Sequence, residues 1–300
     1  MTSVKAHSAA IEPEGGAYRR FWARVGESFP DLGGAASTRL YAANEQRLFA
    51  EHFPSLAGLK ILKTDLWDEA KNTRILAWAA AQGACTYGID ISEPTVLKAR
   101  GAFAASALYC GVADVRALPF RDGSFDAIYS MGTIEHFDET QGAIAEMTRV
   151  LKDGGRAIIG VPNRHDPFLR PVLASALQAV GLYAYGYEKS YSRRTFTQML
   201  QRAGLTVVAE TGILFIPGWL RMLDLVCHIW VPPLARITGA CVAPFVWLDR
   251  HVPAVRRHGY LLATVVTKHR CPPAGGSPDA PIAQDRPSPA SSPSTIHARL

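Results

Sequence analysis

The stretch from Gly111 to Phe137 has the sequence GVADVRALPFRDGSFDAIYSMGTIEHF. It predicts an acidic turn, then a surface hairpin marked by proline and glycine, then a short buried strand over 127–130. A helix opening on Glu135-His136 is expected to follow. This order of elements is typical of an open α/β sheet, in which ligands bind beyond the carboxyl ends of the strands.

Short apolar runs alternate with longer helical stretches from Gly58 onward. Gly154-Gly155 suits a left-handed cap after the helix that is predicted over 140–151. Strands alternating with helices indicate βαβ units, so we predict an α/β fold with a doubly wound, mostly parallel, seven-stranded sheet. The predicted strands are 60–62, 85–89, 107–112, 127–130, 156–161, 205–211 and 260–268, and the predicted helices are 73–81, 94–105, 140–151 and 193–203.

The chain has 300 residues, of which 48% are hydrophobic, and this allows one large domain with extensions. We predict disorder at 1–16 and 271–300, because the tail is rich in Pro, Ser and Ala and offers little apolar surface. A helical N-terminal extension is expected over 17–57, broken near its proline and glycine pairs. The main domain is expected over 58–270, with an apolar insert at about 213–259 before the last strand.

Composition argues against several functional classes. The formal charge of +6 is mild and the basic residues are dispersed, so no nucleic-acid partner is predicted. The five cysteines show no metal-ligand spacing, so we predict no metal and reduced thiols in a cytoplasmic protein. The N-terminus lacks an apolar signal region, and no window reaches the roughly 18 apolar residues of a spanning helix.

Asp90 ends the predicted second strand, in the sequence YGIDIS. A carboxylate at this place can accept hydrogen bonds from both hydroxyls of a ribose. The alternative is that Asp90 or Ser92 caps the next helix, because Glu93-Pro94 is a good helix start. Both roles fit if Ser92 caps the helix while Asp90 faces a ligand.

Asp114 and Val115 follow the next predicted strand. A short carboxylate beside a free backbone N–H suits the amino group and ring nitrogen of adenine, and the alternative is an Asx-turn that bonds its own backbone. Ser130 and Met131 lie at the carboxyl end of the strand after that. The topology of an open sheet therefore predicts them beside the same ligand.

His136 lies one step further along the chain. A histidine can act as a general base near neutral pH or hold a substrate hydroxyl, and the alternative is a surface or capping histidine. Asn163 and Arg164-His165 follow another predicted strand. They are expected either to border a substrate pocket or to form a plain loop.

Together these segments resemble the class I S-adenosylmethionine-dependent methyltransferases, in particular the small-molecule group that includes ubiquinone-biosynthesis enzymes. The resemblance rests on GIDIS, the Asp114-Val115 turn, LPF, SFDAIYSMGTIEHF, RVLKDGG and VPN, and covers about 60–211 with 260–268 as the last strand. It implies S-adenosylmethionine as cofactor, with Asp90 and the adjacent Ile91 at the ribose. It also implies Asp114-Val115 at the adenine, and the loop that begins with Ser130 and Met131 near the sulfonium.

The chain departs from this family at the first motif, where an apolar strand, an acid and G-x-G are expected. Lys63 stands where the acid is expected, and Asp65 and Trp67 stand where glycines are expected. Glycine permits tight turns and a close approach of the backbone to a ligand, which Trp67 cannot provide.

Two outcomes are open for this replaced motif. Thr64 or Asp65 can cap the next helix, while carboxylates at Asp65, Asp68 or Glu69 attract the methionine ammonium. Otherwise, cofactor binding is weakened or lost. The intact Asp90 and Asp114 segments favour retained binding, with Thr64 and Asp65 among the cofactor residues.

The insert at 213–259 combines aromatic, aliphatic and basic residues. This composition suits an interfacial helix on a membrane, and equally a lid over a hydrophobic acceptor. The alternative is a helical pair packed on the sheet or on a second subunit as a homodimer.

The predicted function is direct transfer of the methyl group of S-adenosylmethionine to a small or lipid-like acceptor. His136 is the leading candidate for a base, with His165 and Tyr191 behind it. One competing function is a non-catalytic methyltransferase-like scaffold or membrane-associated binding protein. Another is a nicotinamide-dependent oxidoreductase, which the missing G-x-G-x-x-G disfavours.

Overall fold

The computed structural model describes residues 15–103 and 108–269. The segments predicted to be disordered, 1–16 and 271–300, lie outside the described residues, apart from positions 15 and 16, where the first helix begins. Position 107 of the predicted third strand and Cys271 also lie outside them.

The described residues contain one seven-stranded sheet. Its strands are β1 (Lys60–Lys63), β2 (Cys85–Asp90), β3 (Leu108–Val112), β4 (Phe125–Met131), β5 (Leu151–Pro162), β6 (Leu205–Ile213) and β7 (Leu261–Lys268). Their order is β3-β2-β1-β4-β5-β7-β6, and β7 runs in the direction opposite to the other six. The predicted doubly wound, mostly parallel α/β sheet is confirmed.

The strand order reverses between β1 and β4. Strands β2 and β3 lie on one side of β1, and β4 and β5 lie on the other side. Connections that leave the two halves in opposite directions open a crevice at the carboxyl ends of β1 and β4. Lys63 and Met131, which end these two strands, therefore mark the edge of the sheet where a ligand fits.

Helices cover both faces of the sheet. They are α1 (Gly15–Ser28), α2 (Ala36–His52), α3 (Trp67–Lys71), α4 (Ile75–Ala81), α5 (Glu93–Ala102), α6 (Thr140–Val150), α7 (Arg170–Ala179), α8 (Arg193–Arg202), α9 (Gly218–Trp230) and α10 (Pro232–His251). Alternation along the strands places Ile61 in one apolar cluster with α2, α4 and α5, and places Leu62 in another with α6 and α8.

Two predicted helix ends are wrong. Glu135-His136 does not open a helix but lies in a 3₁₀ turn, Ile134–His136, and α6 begins at Thr140. Gly154-Gly155 does not cap α6, which ends at Val150 and continues directly into β5. Positions 152–155 form a bulge in β5 instead. Phe125 pairs with Leu151 and Ala127 pairs with Arg156, so one residue of β4 lies opposite these four residues of β5.

The N-terminal extension and the insert are helical. The breaks predicted near Pro30-Asp31 and Gly33-Gly34 fall between α1 and α2. The insert forms α9, α10 and a 3₁₀ turn, Pro253–His258, before β7. Within the described ranges, no helix is long and apolar enough to cross a membrane.

Candidate functional site

A large cavity opens at the carboxyl edge of the sheet, where the strand order reverses. It encloses about 1230 Å³, part of it open to solvent. The ends of β1, β2 and β4 form its floor, while α1, α2, α9 and the segment 170–188 supply its walls. This is the place where an open α/β sheet holds its ligand.

Most of the predicted site residues meet in this cavity. Ser130 is the exception: it is fully buried beneath the cavity, and its hydroxyl accepts a hydrogen bond from Thr64 Oγ1 at 2.7 Å. Ser130 therefore ties the end of β4 to the end of β1. The predicted residues that line the cavity are Thr64, Asp65, Asp90, Ile91, Asp114, Val115, Met131 and His136.

Asp90 is held rigidly at the end of β2. Its Oδ2 accepts the backbone N–H of Leu66 at 2.9 Å, and its Oδ1 accepts that of Ser92 at 2.8 Å. Burial raises the pKa of Asp90 to about 6, although the two N–H groups oppose this. Ser92 caps α5 through the N–H of Thr95, so the capping role and the ligand-facing position are both present.

Asp114 both faces the cavity and forms the predicted alternative, an Asx-turn. Its Oδ1 accepts the backbone N–H of Arg116 at 2.9 Å, and the Arg116 guanidinium bonds both carboxylate oxygens. Burial raises the pKa of Asp114, but these hydrogen bonds and the charge of Arg116 outweigh it and lower the pKa. Arg116 in turn lies over the rings of Tyr18 and Phe137.

Lys63, which stands where the family has an acid, is completely buried. Its Nζ lies 2.7 Å from Asp65 Oδ1 and 3.3 Å from Asp68 Oδ2. Burial by itself would lower the pKa of Lys63, but the nearby carboxylates outweigh this effect and raise the pKa. Asp65 Oδ2 also accepts a hydrogen bond from Thr133 Oγ1 at 3.0 Å, which joins the loop after β1 to the loop after β4.

More carboxyl groups surround Lys63 than one ammonium can neutralise. Burial raises the pKa of Glu69 to about 7 and raises that of Glu45 well above its usual range. Burial raises the pKa of Asp65 as well, with Asp68 adding to the effect. An excess of acid behind a cavity wall favours a cationic group in the cavity, because a cation stabilises the ionised carboxylates.

Trp67 packs its ring into the cavity wall. The ring meets Phe29 and Tyr185 with centroids 5.0 and 5.8 Å apart, and Lys71 Nζ lies 5.0 Å above it. Neither Thr64 nor Asp65 caps the helix that follows; the cap position of α3 is Leu66, which makes no side-chain bond. The proposed capping role of these two residues is therefore wrong.

A glycine in the neighbouring strand makes room for the replaced motif. A Cβ placed on Gly88 of β2 would lie 2.3 Å from Leu66 Cδ2. Leu66 itself is completely buried, so it cannot swing aside. The missing side chain at Gly88 is thus what allows a leucine in the loop after β1.

His136 is buried at the edge of the cavity. Its Nδ1 lies 2.8 Å from the carbonyl oxygen of Tyr187, and because a carbonyl only accepts, Nδ1 carries the proton. Burial lowers the pKa of His136, although Glu188 and the Tyr187 carbonyl oppose this. The neutral ring therefore keeps a lone pair on Nε2, and Trp22 packs against the ring at 4.8 Å.

Several other residues of the cavity were not predicted from the sequence. They come from helices and loops distant in the chain, and of these segments only the insert was expected, in one alternative, to cover a ligand. Arg170 forms a bidentate ion pair with Glu188, at 2.5 and 2.8 Å. The unpredicted residues include Tyr18, Trp22, Tyr41, Arg170, Tyr183, Tyr185, Glu188, Arg221, Met222 and Tyr260.

The remaining candidates lie outside the cavity lining. Asn163 donates to the carbonyl of Gly259 and accepts the N–H of His165, which makes this segment a structural loop. The hydroxyl of Tyr191 bonds Thr140 Oγ1 at 3.0 Å. His165 and Tyr191 therefore do not line the cavity that holds His136, and the contacts of 163–165 agree with the plain-loop alternative.

Residues 70–159 match a family model described as a methyltransferase domain. A solved S-adenosylmethionine-dependent methyltransferase from Mesorhizobium loti shares the fold, with a TM-score of 0.53 at 16% identity over 76% of this chain and 100% of that one. Residues 70–159 are therefore similar to methyltransferase domains, and the fold is that of the class I methyltransferases. The cofactor that this family implies is S-adenosylmethionine.

Curated relatives match this domain in part. The human probable tRNA methyltransferase 9B is 44% identical over 88 residues, 27% of this chain and 18% of the relative. A biotin biosynthesis bifunctional protein BioHC from Cellvibrio japonicus is 30% identical over 62% of this chain and 36% of its own length. Demethylmenaquinone methyltransferase from Thermus thermophilus is 37% identical over 26% of this chain and 37% of its own length. The chain thus spans well under two thirds of these relatives.

We expect Gly88→Ala to lower the free energy of unfolding by about 1–3 kcal/mol, because the added methyl group collides with buried Leu66. Urea denaturation measures the change. Gly111→Ala is the matched control, since a Cβ there meets nothing within 4 Å.

The same substitution made in a Leu66→Ala background should cost clearly less, since the atoms that collide are gone. Equal costs in both backgrounds would contradict the packing argument.

Proposed function

We propose that this protein transfers the methyl group of S-adenosylmethionine to a small or lipid-like acceptor that enters the same cavity. The supporting observation is that residues from three strand ends, Asp90, Asp114 and Met131, meet in one cavity with His136. The methyltransferase domain supplies the reaction class, and the acceptor is inferred from the cavity and its surroundings.

The residues present fit the cofactor. In this proposal the Asp90 carboxylate accepts the ribose hydroxyls, because each of its oxygens makes one backbone bond and retains a further lone pair. Asp114 and Val115 hold the adenine. The acid excess at Asp65 and Asp68 attracts the methionyl ammonium, in place of the glycine loop's contribution.

His136 would remove the acceptor's proton. The bound cofactor supplies an electrophilic methyl group, so catalysis depends largely on how the chain aligns the acceptor. A hydroxyl acceptor within reach of Nε2 would give its proton to that nitrogen, since Nδ1 is already protonated and bonded to Tyr187. The Trp22 ring and the Tyr187 carbonyl hold the imidazole in one orientation.

The surroundings of the cavity favour a lipid-like acceptor and contact with a membrane surface. Met222 of α9 lines the cavity and is also exposed, while Trp219 and Trp230 on the same helix project large apolar rings into solvent. The two acidic residues of the insert, Asp224 and Asp249, are both buried. The insert's exposed charges are therefore basic, which suits an anionic lipid surface.

A homodimer is the alternative use of the same apolar surface. Exposed apolar side chains on α9, on α10 and on α7 with its N-cap residue can equally pack on a second copy. They are Leu169, Val172, Leu173, Trp219, Met222, Leu223, Val226, Trp230, Leu234, Ile237 and Trp247. The charge pattern of the insert favours the membrane.

We expect S-adenosylhomocysteine to bind the wild type, and Asp90→Asn to weaken binding about tenfold through loss of a charged acceptor. Wild-type affinity should fall as the pH drops through about 6, the pKa of Asp90, because the protonated carboxyl accepts fewer hydrogen bonds. The variant should show a weaker dependence, because only the carboxyl groups around Lys63 then titrate near this pH. Isothermal titration calorimetry measures the affinity of the wild type, the affinity of the variant and the pH dependence of both.

The exposed carboxyl of Asp122 lies outside the cavity lining, so Asp122→Asn is the control. Absence of wild-type binding at millimolar ligand would refute the proposal and favour the non-catalytic scaffold.

His136→Ala should lower methyl transfer about a hundredfold or more while leaving the affinity for S-adenosylhomocysteine within about twofold. The measurement is incorporation of tritiated methyl groups into a host lipid extract. Wild-type turnover should fall only at pH values below the usual titration range of histidine, because burial lowers the pKa of His136.

His165→Ala, outside the cavity lining, serves as the control for this experiment. Turnover unaffected by His136→Ala would remove that residue from the mechanism.

Trp219→Ser combined with Trp230→Ser should abolish flotation of the protein with phosphatidylglycerol vesicles at low salt, because both rings are exposed apolar anchors. Val208→Ser, at an exposed position on β6, is the control. If the wild type fails to float, and the tryptophan variant lowers the mass measured by light scattering, the insert is a subunit interface instead.

A further inference from the structure

Arg221 of α9 is a cation of the cavity wall for which the described residues provide no acidic partner. Its guanidinium lies over the Tyr41 ring, 5.3 Å from the centroid. Its Nη1 is buried, and no hydrogen-bond acceptor for it is found among the described residues. A buried N–H without an acceptor is costly, so such a group indicates a place where a ligand atom belongs.

The other arginine of the cavity differs in this respect. Arg170 is buried and its guanidinium is fully engaged by Glu188. Asp224, one turn after Arg221 on the same helix, accepts the Ser37 N–H at 2.8 Å and the Thr238 hydroxyl at 3.0 Å. The acid nearest to Arg221 along α9 is thus committed to the contacts of α9 with α2 and α10.

Tyr41 joins Arg221 to the acidic cluster at the end of β1. One face of its ring carries the guanidinium, and its hydroxyl lies 3.4 Å from Asp68 Oδ2. Asp68 is ion-paired with Lys63. The end of the cavity beside β1 therefore offers an acidic cluster and the Arg221 guanidinium on either side of one tyrosine, which matches the ammonium and carboxylate of an α-amino acid.

We propose that Arg221 binds the α-carboxylate of the cofactor's methionyl group, and that the insert thereby replaces the glycine loop. This proposal rests on the proposed function. In the family pattern, a glycine loop brings backbone close to this part of the ligand, and here Trp67 and Leu66 occupy that loop. A guanidinium supplies two parallel N–H donors to a carboxylate and needs no close approach of the backbone.

The insert is then part of the cofactor site as well as the edge of the acceptor entrance. Arg221, Met222 and Leu225 lie on one side of α9 and line the cavity, while Trp219 and Leu223 are exposed. One short helix thus holds the cofactor with its inner side and presents apolar rings with its outer side.

Titration calorimetry with two ligands tests the proposal. S-adenosylhomocysteine carries the carboxylate, whereas 5′-deoxy-5′-methylthioadenosine lacks the whole amino-acid part. Arg221→Met should weaken S-adenosylhomocysteine at least tenfold and leave methylthioadenosine within about twofold. Arg221→Lys should restore part of the loss, because it keeps the charge without the paired donors.

Arg236→Met, at an exposed position of α10 outside the cavity lining, should change neither affinity. Unchanged binding of S-adenosylhomocysteine to Arg221→Met would overturn the proposal, even if methyl transfer to the acceptor fell, since the guanidinium would then serve the acceptor. Equal weakening of both ligands would overturn it too, by showing a general loss of structure. A wild type that binds neither ligand refutes the proposed function, and the role of Arg221 with it.

Discussion

The buried ion pairs of Lys63 are the interaction on which the site depends. An ammonium group with no exposure to water is tolerable only when carboxylates and hydrogen bonds surround it, and Asp65 and Asp68 provide them. The pairing fixes Asp65, whose second oxygen accepts from Thr133 and so joins the loops after β1 and β4. A charged cluster thus holds the two loops that frame the cavity, in a chain that lacks the usual glycine turn.

Adjustments around this cluster make the replaced motif compatible with the fold. Gly88 leaves the space that Leu66 fills, and the backbone N–H of Leu66 bonds the carboxylate of Asp90. The Trp67 ring packs against the rings of Phe29 and Tyr185 in the cavity wall. The residues that replace the glycine motif therefore form one wall of the cavity, and the insert adds Arg221 to the lining.

Local patterns predicted the fold well where a residue's role depends on its neighbours in the chain. Short apolar runs predicted all seven strands, and Ser92 with Glu93-Pro94 predicted the start of α5. The prediction at Glu135-His136 was wrong because a short 3₁₀ turn precedes α6. The short helix α3 escaped prediction because buried ion pairs and side-chain contacts stabilise it, rather than a cap or an amphipathic pattern.

By itself the sequence determined the sheet and its ligand-binding edge, because these follow from hydrophobic periodicity and from residues such as Asp90 and Asp114 that directly follow strands. Its motifs also carried the resemblance to the class I methyltransferases. Only the tertiary structure decided that Ser130 supports the cavity from beneath, that His165 and Tyr191 lie outside it, and that Arg221 lies within it. Arg221 and Lys63 are 158 positions apart in the chain, and the position of Arg221 on the cavity wall that the Lys63 cluster supports depends on how α9 packs against α2. Contacts of that kind leave no local pattern in a sequence, because either residue alone looks like an ordinary basic side chain.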